Sequence, residues 1–467
     1  MTPTFIGGRA PGALPIAGHA LPLIRRPVEF LASLREYGDL VEVRLGPTRA
    51  YVPCHPELVR RILADDRTFD KGGPFYRKAR DLFGNSIGTC PQSEHRRQRR
   101  LLQPAFQRHR IAYYASVMQE EIEELTRSWS GGERIDAYAT MNRLTLRTVI
   151  RTLFSAHADE ETVEGVRHAF ETLSAGFFQW MFFPDALHRL PLPAYRRHRR
   201  SMTYLRGTVK RIVEDYRRDG TDHGDLLSML IAAGDPGADG AQGTDGVPGL
   251  SDEEIEAQIL TMLAGGSETV ATTLTWALYL LSEHPDIARA VQAEADDVLK
   301  GRAAGWDDLP ALVVTERVIR ETLRVRTPAW LFTRATTVPV DLGGVRLPEG
   351  APILICPPAV HLNADVFADP EHFDPDRWLP EARSAMPKGS FQAFSAGARK
   401  CIGDVYGMTE SVIGLATIVG RWDTTPVPGA DLRLTPLMAL NIPRRLHFDL
   451  TRRGPVPDHV PTAGSAR

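Results

Sequence analysis

From Pro56 to about Gly234, apolar residues recur at three- and four-residue spacing between short Gly/Pro interruptions, the period of helices that bury one face. A second helical run follows Ser251, where Glu254 completes a capping-box pattern; it carries Ile255, Ile259, Leu263, Leu274, Leu278 and Leu281 and must stop before Pro285. The same period spans Leu312 to Val325, ended by Pro328, and a last helix is predicted from about Ile402 to Trp422. Strand character is confined to two places. Asp39 to Pro53 alternates about a GPT turn with Val41, Val43 and Leu45 on one face, which predicts a hairpin, and Leu331 to Ile355 reads as short strands separated by turns. Gly234 to Gly249 and the tail beyond Arg453 lack the apolar content to pack, so the first is predicted to be a surface loop and the second disordered. The pattern predicts a mainly α chain with a small β subdomain, one domain over residues 1–453 with 454–467 as a tail.

Composition narrows the class. With 467 residues, 43% hydrophobic and 24% charged, the chain can bury a large core, and no internal period marks a repeat protein. The apolar stretch Ala13 to Ile24 holds two prolines and a histidine and is too short to cross a bilayer, which predicts a cytoplasmic protein. A net charge of −2 gives no reason to expect nucleic acid, so the arginines at 96–100 and 196–200 read first as solvated helix faces. Cys54, Cys90, Cys356 and Cys401 lie far apart with no CxxC spacing, against both a zinc knuckle and a disulfide framework.

One cysteine stands in unusual company. In FQAFSAGARKCIGD, Phe391 to Asp404, a turn at Gly397 delivers Cys401 to the start of a predicted helix, where amide groups and the cations Arg399 and Lys400 favour a thiolate. Gly397 and Gly403 allow close approach of a flat cofactor, and Phe394 stands ready to shield the sulfur. Mid-way along the long helix, Gly265 and Gly266 each cost about 1 kcal/mol relative to alanine, so something should need the gap. The Thr269 hydroxyl can bond back to the Gly265 carbonyl beside it, and Glu268 offers a proton carrier. Close helix packing is the plainer explanation of a glycine pair, as a solvated ion pair is of Glu321 and Arg324, and a basic surface helix of His95 and Arg99.

Together these segments change that balance. Phe394, Gly397, Arg399, Cys401 and Gly403 resemble the haem-binding signature of the cytochrome P-450 family, and the likeness extends in order over roughly Pro11 to Leu450. The resemblance implies the fold of that family, a triangular helical prism with haem b (iron protoporphyrin IX) between the long central helix and the Cys-bearing helix. It implies Cys401 as the axial iron ligand, Phe394 packed beside it, and His95, Arg99, Arg334 and Arg399 as contacts of the haem propionates. Gly265 and Gly266 become the oxygen-binding gap, Thr269 and Glu268 the proton-delivering alcohol and acid, and Glu321, Arg324 and Arg377 a buried structural triad. Val270 stands where a second hydroxyl is frequent, a departure that touches proton delivery rather than the thiolate.

The family's pocket walls fall here on apolar segments: Phe177, Phe178 and Trp180 in FFQWMFF, Trp330 and Phe332 in AWLF, and Leu437 and Met438. The expected substrate is an apolar small molecule. Because TDHGDLLSML, GSETVA, DPDRWLPE and FSAGARKC are similar to segments of bacterial terpenoid hydroxylases, a cyclic terpene of sesquiterpene size is expected, oxidised with O2 in secondary metabolism. Ferredoxin and its reductase are the implied electron donors, drawn to a basic face of Lys400 and the 96–100 arginines, and the protein is expected to act as a monomer. A peroxide-driven peroxygenase, a fatty-acid or macrolide hydroxylase and a non-catalytic haem-thiolate sensor are the alternatives; Thr269 with Glu268 speaks against the first and, more weakly, the last.

Overall fold

The computed structural model describes residues 4–154, 159–182, 192–234, 249–432 and 445–454. The predicted loop at 235–248, the tail beyond 454, and Leu437 and Met438 lie outside the described residues, as do the side chains of Phe177, Phe178 and Trp180.

Helices form the body: α1 (Ala20–Arg25), α2 (Pro27–Ser33), α3 (Pro56–Ala64), α4 (Gly73–Phe83), α5 (Gln92–Leu102), α6 (Arg108–Ser128), α7 (Ala137–Leu153) and α8 (Glu160–Phe182). After them come α9 (Pro193–Asp219), α10 (Leu226–Gly234), α11 (Asp252–Glu283), α12 (Pro285–Leu299), α13 (Val313–Val325), α14 (Pro357–His361), α15 (Pro380–Ala385) and α16 (Asp404–Arg421). The expected long helix is α11, capped as its sequence predicts: the Ser251 hydroxyl accepts from Glu254 N while the Glu254 carboxylate accepts from Ser251 N. At a rise of about 1.5 Å per residue it crosses the whole body, packed along α7 and meeting α13 and α16. Its apolar positions join a main core that runs from Leu82 to Leu450.

The predicted hairpin is β2 (Leu40–Leu45) with β3 (Thr48–Pro53), paired antiparallel with Val41 opposite Val52. It belongs to a six-stranded sheet of order β1-β2-β3-β9-β6-β4, with β1 at Gly7–Arg9, β4 at Phe69–Asp70, β6 at Phe332–Thr336 and β9 at Pro352–Ile355. β7 (Val340–Leu342) and β8 (Val345–Leu347) make a separate ribbon, while β5 (Arg134–Asp136) joins β10 (Trp422–Pro426) and β11 (His447–Arg452). The stretch read as purely helical is therefore interrupted by β4 and β5. Strands of two or three residues carry no period to read, and their partners lie hundreds of residues away. Short as it is, β4 pairs Asp70 with Ala335 and so brings Lys71 beside Arg334.

Candidate active site

The loop Phe391–Asp404 runs over α3 into α16. Its turn stands on Gly397 at φ +69°, where a Cβ would lie 2.0 Å from the carbonyl oxygen of Leu63, so only glycine fits. Cys401 N donates to Phe394 O at 2.9 Å and closes the loop. Three of the four cysteines are buried, but Cys401 is accessible while lying deep in the molecule, so its free surface borders an internal recess. Burial raises the Cys401 thiol above its ordinary pKa, and the Gly403 amide with Arg99 and Lys400 works in the opposite direction.

The structure divides the glycine pair of α11. A Cβ on Gly266 would come within 2.8 Å of Val149 Cγ2 on α7, so this glycine serves close helix packing. One on Gly265 would meet nothing within 4 Å, and Gly265 is exposed although Leu263, Ala264, Ser267 and Glu268 beside it are buried. Gly265 therefore borders open internal space. Beside it the Thr269 hydroxyl donates to Gly265 O at 2.7 Å. Val270, the next residue, lies 3.6 Å from where a Cβ of Gly407 would stand, so this point of α11 faces the first turn of α16. The Glu268 carboxylate is buried and accepts from Ser174 Oγ of α8 at 2.6 Å, a partner that no sequence pattern singled out.

Four segments bring their cations together. His95 of α5 is 4% exposed, and burial, then the charges of Arg399, Lys71, Arg99 and Arg334, push its pKa down to about 3. Lys71 was missed in the sequence; it donates to the carbonyls of Ile87 and Gly88, and burial with Arg334 and Arg399 beside it lowers its pKa to about 7. Arg399, a propionate contact by the resemblance, already holds partners within the protein. It donates to Asp70 Oδ1 at 2.7 Å and to Cys90 O at 3.0 Å, and its Nε, 3.4 Å from Asp66 Oδ2, makes no hydrogen bond. Lys71, Arg99, Arg334 and Arg399 thus meet two carboxylates, Asp66 and Asp70, both on Arg399, leaving positive charge in excess. Buried like charges repel unless an anion joins them.

Behind the cysteine loop, Arg324 and Glu321 of α13 form a bidentate pair, 2.7 and 2.9 Å, with neither side chain exposed at all. Arg324 also donates to the carbonyls of His361, Pro370 and His372. The third member, Arg377, ion-pairs with Glu321 as the resemblance implied, and Trp378 joins it. Arg377 Nε comes to 3.4 Å from Glu321 without hydrogen-bond geometry and its Nη2 bonds Asp369 O, while the Trp378 indole donates to Glu321 Oε2 at 2.9 Å. His361 carries the linkage onward: its Nε2 accepts from Gln392 N at 2.9 Å, and its ring stacks on Phe391. Trp330, expected in the pocket wall, is buried in the cluster beneath the sheet with Leu354 and Cys356; Phe332 beside it is half-buried.

The fold thus gathers one accessible cysteine, an open stretch of the long helix and a group of cations with too few carboxylates. The heme domain of cytochrome P450DA in its crystal structure has the same fold, with a TM-score of 0.85 over 97% of this chain and 99% of that one at 24% identity. The cytochrome P450 family model matches residues 9–450, and the chain belongs to that family. Its cofactor is haem b, and its activity that of a P450 monooxygenase. Similar curated proteins include pentalenene oxygenase of Streptomyces avermitilis, 48% identical over 97% of this chain and 99% of the relative. Cyclooctatin synthase of Streptomyces melanosporofaciens is 46% identical over 92% and 93%, and cyclooctat-9-en-7-ol 5-monooxygenase of the same organism 44% over 91% of each.

Proposed function

We propose that this enzyme hydroxylates a cyclic terpene hydrocarbon of sesquiterpene size. The observation that carries the reading is the open stripe of α11 at Gly265 and Thr269, next to Val270, which meets the first turn of the helix that follows Cys401. The residues present fit haem. Cys401 would be the ligand of its iron, a metal charge offsetting the cost of a buried thiolate, and the excess of positive charge around Lys71, Arg99 and Arg334, beside His95, suits its carboxylates. Haem bound there activates O2, so that one atom enters a C–H bond and the other leaves as water, with two electrons supplied from outside.

The chain's own residues supply the rest. Thr269 and Glu268 carry protons, with Glu268 held at Ser174. Met262 and Phe332, both half-buried, and Ile87 are proposed as apolar walls, together with Phe177, Phe178, Trp180, Leu437 and Met438. An apolar lining gives no partner for a substrate carboxylate, and the similar proteins carry pentalenene and cyclooctatin in their names. Reduced ferredoxin is proposed as the donor, docking over a groove of about 410 Å³ lined by Arg320, Arg383, Lys400 and Phe394 beside Glu316 and Asp404. We further propose that residues 1–453 act as one catalytic domain, monomeric and cytoplasmic; among the described residues no helix is long and apolar enough to cross a membrane. Optical titration of the haem-loaded protein with a panel of terpene hydrocarbons tests the substrate. A shift of iron spin state with a sesquiterpene, and turnover with ferredoxin, its reductase and NADPH, is expected; a shift only with a fatty acid or macrolide would sink the claim.

A further inference from the structure

Glu254, Gln258, Thr261, Gly265 and Thr269 follow one another along α11 at steps of four, three, four and four, so they share one stripe of the helix. Gly265 and Thr269 border the open space. Gln258 and Thr261 are tied to the loop from Gly84 to Cys90 that joins α4 to α5, and Glu254 to Gln98 of α5. Buried Gln258 accepts from Ile87 N at 3.0 Å and donates to Gln98 Oε1 at 3.0 Å; Gln98 donates in turn to Asn85 O at 3.0 Å and to Glu254 at 3.2 Å. The Thr261 hydroxyl donates to Ser86 Oγ at 2.7 Å, and the Thr89 hydroxyl donates to Gly84 O at 2.6 Å. That leaves the Ser86 hydrogen for Thr89, 3.1 Å away, and makes a one-directional hydroxyl chain from helix to loop, an arrangement in which each bond polarises the next. The two surfaces also lie flush. A Cβ on Gly84, at φ +63°, would stand 2.7 Å from that of Ala257, and one on Gly88 would stand 3.0 Å from Thr261 Cγ2.

We propose that Gln258 and Thr261 are positioning residues for substrate selectivity: they clamp the Gly84–Cys90 loop onto α11, so that Ile87 stands as a fixed wall over the space at Gly265. The reason is chemical. A hydrocarbon offers no hydrogen bonds, so only the shape of its surroundings can orient one C–H bond, and a wall that yields would lose that choice. The clamp lies on the side of the stripe away from Thr269, which separates selectivity from proton delivery on one helix. The proposal rests on the reading of this space as the substrate's.

The test uses the full-length haem-loaded enzyme with Thr261→Val, which keeps shape and removes the hydroxyl, Thr261→Ser, which keeps the hydroxyl, and Gln258→Leu. Hydrogen exchange of amides 84–90 is measured without substrate, and affinity and product distribution are measured with pentalenene as the probe hydrocarbon. Val and Leu should speed exchange of the loop by about tenfold, the effect of one lost buried hydrogen bond, weaken the probe by a similar factor and broaden its products. Ser should stay near the parent. Unchanged exchange and an unchanged product ratio in Thr261→Val overturn the proposal, as does Thr261→Ser failing to the same degree, which would assign the effect to the methyl group. If Gln258→Leu does not fold, the Thr261 pair decides. No spectral response of the parent to pentalenene or any other terpene refutes the substrate reading alone, and the exchange measurement still decides the clamp.

Discussion

His361 gives the sharpest quantitative test of how the cysteine loop is held. Its Nε2 accepts from Gln392 N, so in the folded protein the ring hydrogen must sit on Nδ1, within reach of Arg324 O at 3.2 Å and Thr327 Oγ1 at 2.8 Å. A second proton on Nε2 would point at an amide hydrogen. Burial, with the Arg324 charge beside it, accordingly pushes the pKa of His361 down from 6.5 to about 3. The unfolded chain takes up that proton near pH 6.5 and the folded chain does not, so the stabilisation is complete above pH 6.5 and is lost as pH falls toward 3. At roughly 1.4 kcal/mol per pH unit below the unfolded value, this residue alone should remove about 2 kcal/mol between pH 7 and pH 5. Chemical unfolding of the haem-loaded protein at pH 7, 6 and 5, beside His361→Gln, isolates it from the other histidines, which titrate in both. Glutamine keeps an acceptor but not the ring, so the variant should be less stable at pH 7 by about 1–3 kcal/mol, with the gap closing by about 2 kcal/mol at pH 5. Two parallel pH curves would refute the reasoning.

Other outcomes rest on the same geometry. Glu321→Gln leaves the Arg324 charge unpaired at zero exposure and should cost about 3–5 kcal/mol in urea unfolding, against at most about 1 kcal/mol for Glu57→Gln, whose partner Arg60 is solvated. The two glycines of α11 should answer oppositely to alanine: Gly266→Ala should lose about 1–3 kcal/mol to its clash with Val149, whereas Gly265→Ala should gain up to about 1 kcal/mol in helix propensity and lose turnover as its methyl enters the open space. Equal melting temperatures for that pair would contradict the assignment. Cys401→Ala should abolish the thiolate-type spectrum of the reduced carbonyl complex, and an unchanged spectrum would remove Cys401 from its proposed place.

What was legible in the chain was local. The hairpin, the cap and stop of α11, the end of α13 and the Thr269–Gly265 bond are all written within a few residues of themselves, in a period, a capping residue or a side chain one turn from its acceptor. What escaped was made by distance in sequence. Lys71 sits in a segment with no pattern and reaches the cation cluster because β4 pairs with β6 across more than 260 residues. Asp66 and Asp70 claim Arg399 through the approach of the loop to α3, and Trp378 joins Arg324 and Arg377 around Glu321 by a geometry that spacing cannot express. Gly265 and Gly266 show the limit best: two identical letters with one packing role and one open face, told apart only by what stands opposite.

The bond from Thr269 to Gly265 decides what the gap can greet. With its single hydrogen directed into its own helix, the hydroxyl turns only lone pairs toward the recess, so the spot welcomes guests that bring a hydrogen of their own. Thr269 is therefore a polar spot on the stripe, able to hold a protic guest by its lone pairs, while one turn away Gly265 leaves room in which a hydrocarbon meets no side chain.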